Sequence, residues 1–164
     1  MTVDALPAAR KQLTPSQALL FGGLTVGTLD ILDAFIFNGF RGVSPSRILQ
    51  FIASGVLGRE AAFGGGAATA ALGLLLHFFI AFVVVALYLL ASRRLPILAR
   101  QPFVFGPLYG VLVHLAMHYA IVPLSAVTRA PGPAQPAAMI NQYLIHAFGV
   151  GLVSALFARA ARRS

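Results

Sequence analysis

The chain contains no cysteine. Disulfides, thiolate metal sites and thiol catalysis are therefore excluded, and no redox compartment can be read from it. Acids are nearly as scarce, at four in 164 residues. Two of them, Asp4 and Glu60, fall outside the apolar runs, so a di-iron carboxylate centre in a helix bundle has too few ligands. Charged residues make up 10% of the chain against 59% hydrophobic, a balance that a water-soluble domain could not shelter. Neither G-x-S-x-G nor H-E-x-x-H occurs, and Gly64-Gly65-Gly66 lacks the Lys-Ser/Thr that completes a phosphate loop, so it reads as a hinge. Thr2 follows Met1, which leaves no glycine there to myristoylate. The first apolar run is too long, and too acidic, for a cleaved secretory signal. The reading is of a non-enzymatic protein that resides in a membrane.

What is present is a set of apolar runs. Residues 18–40, 68–92, 103–124 and 138–158 are each long enough to cross a hydrocarbon core of about 30 Å at about 1.5 Å per residue. The expected fold is all-α, one transmembrane domain of four helices over residues 18–160. A polar tail (1–17) precedes it and a basic one (161–164) follows. Thr14 and Pro15 have the composition of a helix start. Between the first two spans, residues 45–57 predict a short helix with Ser44 as N-cap, Pro45 in the first turn and Gly58 ending it. Ile48, Leu49, Ile52, Val56 and Leu57 fall on one side of it, with Arg47, Gln50 and Ser54 on the other. Too short to span, it is expected to lie in the membrane interface. Residues 125–137 form a proline-rich loop.

The formal charge of +8 does not point to nucleic acid, because the basic residues flank the apolar runs and form no binding stripe. They read as topology signals that meet anionic lipid head groups. Arg10, Lys11, Arg93, Arg94, Arg100, Arg159, Arg162 and Arg163 would share one side, with Arg41, Arg47, Arg59 and Arg129 opposite. The richer side is expected to be cytoplasmic, with both termini there.

Polar residues inside the spans are the candidates for function. An aspartate near a helix centre costs about 2.5–3.5 kcal/mol on insertion, so Asp30 and Asp33 nearly offset the apolar content of the first span. That helix needs polar partners. Counted from the basic side, Asp30 and Asp33 lie at about 18 and 22 Å, His114 and His118 at about 16 and 22 Å, His77 at about 22 Å and His146 at about 20 Å. Six ionisable side chains from four helices thus share one level. Asn141, Gln142 and Tyr143 accompany His146, whereas Tyr109 and Phe103 read as packing or belt residues.

Four chemistries suit such a layer. Buried Asp–His and His–His bonds hold helices together. A histidine beside a carboxylate in low dielectric binds or passes a proton. His114 and His118, at i and i+4, have metal-ligand spacing that Asp30 or Asp33 could complete. Two histidines on separate helices could hold haem, although no haem-binding motif is present. The sequence requires no cofactor and leaves haem and a divalent metal open. Small residues at Gly23 and Gly27, Gly106 and Gly110, and Gly151 and Ala155 are the expected helix-packing notches, for neighbouring spans, a second copy or another membrane protein.

The run His77-Phe78-Phe79-Ile80-Ala81-Phe82 followed by Tyr88, then Gly106 to Gly110, His118 with Pro123-Leu124, and His146, resembles the YagU-like family of small bacterial inner-membrane proteins. The likeness covers the chain from the second span onward and the first span loosely. It implies a multi-pass protein of the bacterial inner membrane and assigns His77, His118 and His146 to the family pattern. The family has no established activity, so the resemblance implies no mechanism.

Overall fold

Thr14 starts the first long helix as a capping box: its hydroxyl accepts from the Gln17 backbone N–H while the Gln17 side chain accepts from the Thr14 N–H. The computed structural model describes residues 12–127 and 135–162. Arg10, Lys11, Arg129, Arg163 and most of the proline-rich loop lie outside them. Helix α1 (Pro15–Gly39) is followed by α2 (Pro45–Leu57), α3 (Arg59–Gly64), α4 (Gly66–Arg94), the single turn α5 (Ile97–Arg100), α6 (Pro102–Leu124) and α7 (Pro136–Ala160). No strand occurs among the described residues. Helices α1, α4, α6 and α7 are long and apolar enough to cross a membrane. Leu20, Phe21, Leu75, Phe79, Phe103, Leu108, Leu112 and Phe148 are exposed on them, a coat that suits lipid and not water. This is an all-α, multi-pass membrane protein.

The bundle is closed at one end and open at the other. At the closed end the Leu13 N–H donates to the Ala160 carbonyl at 3.1 Å, which ties the start of α1 to the end of α7. Ala18, Val26, Val85, Tyr88, Ala155 and Ala158 form the core there. The Tyr88 hydroxyl donates to the Leu98 carbonyl and the Tyr109 hydroxyl to the Val84 carbonyl, with the two rings 4.9 Å apart. Tyr109, expected only to pack, is the polar strut between α4 and α6.

Two kinds of notch set the helix contacts. On α1, Gly23 and Gly27 receive the rings of Phe82 and Phe78 from α4. Between α6 and α7 the backbones themselves touch: a methyl group at Gly151 would stand 2.1 Å from the Gly106 carbonyl oxygen. Only a missing side chain permits that approach. Ala155 flanks the same seam. A third notch, Gly73 against the Leu49 carbonyl, seats α2 on α4.

Helix α2 buries Gln50, Ala53 and Ser54 and leaves Phe51, Val56 and Leu57 exposed. The buried side is the small, polar one, the reverse of an apolar face turned to the core. In an apolar surrounding there is no gain in hiding leucine, and close packing selects small residues instead. Gln50 is satisfied by the Gly66 carbonyl at 3.1 Å. Gly58 (φ 75°) ends the helix in a conformation that L side chains rarely adopt.

Candidate functional site

The open half of the bundle encloses a cavity of about 860 Å³ between α1, α2, α4, α6 and α7. Asp30, His77, His114, His118 and His146 all line it. Five of the six side chains expected at one level therefore meet in one space. Asp33 does not line the cavity; it accepts a hydrogen bond from the Asn141 amide at 2.7 Å, a link between α1 and α7.

One wall is the α1–α4 pair. The Nε2 of His77 lies 2.8 Å from the Gly27 carbonyl oxygen. A carbonyl only accepts, so this nitrogen carries a proton. The other ring nitrogen, Nδ1, lies 4.0 Å from the Asp30 carboxylate. In the neutral ring Nδ1 is a lone pair turned toward a carboxylate. The small residue at Gly27, which admits the Phe78 ring, also presents its carbonyl to His77, so the packing notch and the histidine's tautomer have one origin.

The facing wall is α6–α7. His146 Nδ1 donates to the Gln142 carbonyl at 2.9 Å, one turn back, which leaves Nε2 as the acceptor nitrogen of a neutral ring. The ring of His114 lies 4.9 Å from that of His146, 4.7 Å from that of Tyr143 and 5.9 Å from that of His118. Among the described residues no group of three His, Cys, Asp or Glu gathers closely enough to hold a metal ion. His114, His118 and Asp30 share the cavity without forming such a site.

Both helices of this second wall are locally widened. Met117–Ile121 and Ile145–Leu152 are π turns, and His118 and His146 sit within them. Such turns cluster at functional sites because they re-aim side chains and free carbonyls. Near His118 the cause is Pro123, which has no N–H for the Tyr119 carbonyl; the Val122 N–H reaches back to Met117. Near His146 the widening coincides with Gly110, where an added methyl would stand 1.8 Å from the His146 carbonyl oxygen.

Several participants had no role assigned from the sequence. Asn141 and Gln142 were visible as polar residues in an apolar run, but their partners are set by helix rotation. Arg47 and Arg59, read as topology signals, stand at the cavity rim. A comparison with protein-family models, curated proteins and solved structures finds no match to this chain.

Proposed function

We propose that this protein binds and passes protons within the bilayer, with no catalytic step, at the Asp30–His77 pair. His114, His118 and His146 act as exchange partners across the cavity. One observation carries the reading: the Gly27 carbonyl holds His77 so that its second nitrogen faces the Asp30 carboxylate. A proton held between them converts opposed lone pairs into a charge-assisted hydrogen bond, either directly after a small approach or through one water. The same place would accept a small cation less well, since two donors are too few to replace a hydration shell. We place the protein in the bacterial inner membrane with both termini cytoplasmic, from the excess of arginine and lysine at that end of the bundle.

The test is a proteoliposome carrying an internal pH dye. Wild-type protein is expected to admit protons down an imposed gradient, and Asp30→Asn combined with His77→Gln to abolish that flux. Unchanged proton flux in a folded double variant would end the reading. A second reading, a structural or accessory subunit, draws on the same bonds, because His77–Gly27 joins α4 to α1 and Asn141–Asp33 joins α7 to α1. Wild-type liposomes without proton or divalent-cation flux, together with lost folding yield in the variant, would select it.

A further inference from the structure

The rim of the cavity carries a feature that proton transfer does not use. Arg47 on α2 and Arg59 on α3 both lie over the ring of Phe63, with guanidinium carbons 4.5 and 5.3 Å from its centroid. All three residues line the cavity. No carboxylate among the described residues lies within 4.0 Å of either guanidinium. Two positive groups are thus held against one aromatic ring with their N–H donors unspent on acids. Directly behind them the wall is apolar: Ile48, Phe51, Ile52, Ile80, Val113 and Val122.

We propose that this cavity is a binding site for one anionic phospholipid of the surrounding membrane. The phosphate would be held by Arg47 and Arg59 and one acyl chain would enter between α2, α4 and α6. Charge complementarity selects the head and the apolar wall selects the tail. The volume of about 860 Å³ is in the range of ligand pockets, about 300–1,000 Å³. Among the described residues α4 and α6 meet at the Tyr109–Val84 bond and the Tyr88–Tyr109 ring contact near the closed end, so the gap between them toward the open end is the way in for a chain from the bilayer. Guanidinium groups held against Phe63 have less freedom to lose, which lowers the cost of ordering them around a phosphate. The proposal shares the cavity with the proton reading but rests on different residues, since Arg47 and Arg59 belong to neither histidine wall.

The chain lacks tryptophan, so Ile80→Trp places a single reporter inside the cavity. In detergent, brominated phosphatidylglycerol is expected to quench that reporter at far lower concentration than brominated phosphatidylcholine. Inorganic phosphate should compete only weakly, because it has no tail. Adding Arg47→Gln and Arg59→Gln should weaken the quenching by about thirtyfold, given about fivefold for each charge. Arg47→Lys with Arg59→Lys should restore part of it. Equal quenching by both lipids, or quenching unaffected by the glutamine pair, would overturn the site and indicate annular lipid. Inorganic phosphate competing as well as the lipid would overturn the lipid in favour of a free anion. Should the glutamine pair fail to fold, native mass spectrometry of the wild type decides: one phosphatidylglycerol retained per chain supports the site, and none overturns it. Asp30→Asn with His77→Gln keeps both arginines, so it should lose proton flux yet still prefer phosphatidylglycerol to phosphatidylcholine, which separates this result from the fate of the proton reading.

Discussion

Gly110 on α6 lies against the backbone of His146 on α7, so close that a β-carbon would stand 1.8 Å from the His146 carbonyl oxygen. A packing residue and a site residue are therefore one mechanical unit. Gly110→Ala gains at most about 1 kcal/mol of helix propensity, while forcing two backbones apart costs about 1–3 kcal/mol or more. The variant should unfold at lower temperature in detergent and lose proton flux, even though no titrating group has changed. A variant as stable and as active as wild type would show that the α6–α7 seam does not position His146.

The Asn141–Asp33 bond offers a cleaner separation. Asn141→Leu leaves a carboxylate inside the bundle without its 2.7 Å donor, at a cost of about 1–3 kcal/mol. Replacing both, Asp33→Leu with Asn141→Leu, should recover most of that stability, because no polar group is then stranded. Thermal denaturation of the two single variants and the double one reads the cycle. Proton flux should survive the double replacement, since Asp33 lies outside the cavity.

Tyr109 ties α6 to α4 at Val84, which lines the cavity. Tyr109→Phe removes its bond to Val84, whose carbonyl keeps its place in the helix ladder, so the stability loss should be small, about 0.5–1.5 kcal/mol. The functional effect should be the larger one, an increase in passive proton leak through the liposome wall. Stability lost without added leak would make Tyr109 a strut alone.

Helix α2 depends on Gly73. A methyl there would meet the Leu49 carbonyl at 1.9 Å, so Gly73→Ala should lift α2 from α4. Hydrogen exchange at residues 45–57 should accelerate while that of α6 and α7 stays unchanged.

Much of this architecture was legible from local pattern. The spans follow from length and hydropathy, the start of α1 from Thr14, Pro15 and Gln17, and the break after α2 from Gly58. The notches at Gly23, Gly27, Gly106, Gly110 and Gly151 also follow from spacing, since small residues one turn apart must share a face. The meeting of Asp30, His77, His114, His118 and His146 in one cavity accords with counting along each helix, because an α-helix rises by a fixed amount per residue.

Partners were not legible. Asp30 and Asp33 sit nearly on one face, yet one reaches His77 and the other Asn141, and only Asp30 enters the cavity. Nor did composition reveal that α2 would bury its polar side or that the turns around His118 and His146 would widen. The physical reason is the solvent. In water, the apolar stripe of a helix states which way it faces; in lipid, the outside is as apolar as the core, and that signal vanishes. By itself the sequence determined which segments are long and apolar enough to cross a membrane and where along each helix the polar groups fall. The tertiary structure alone decided the rotation of each helix, and with it which lone pair meets which carboxylate, because rotation is set by notches and carbonyls on neighbouring helices far away in the chain.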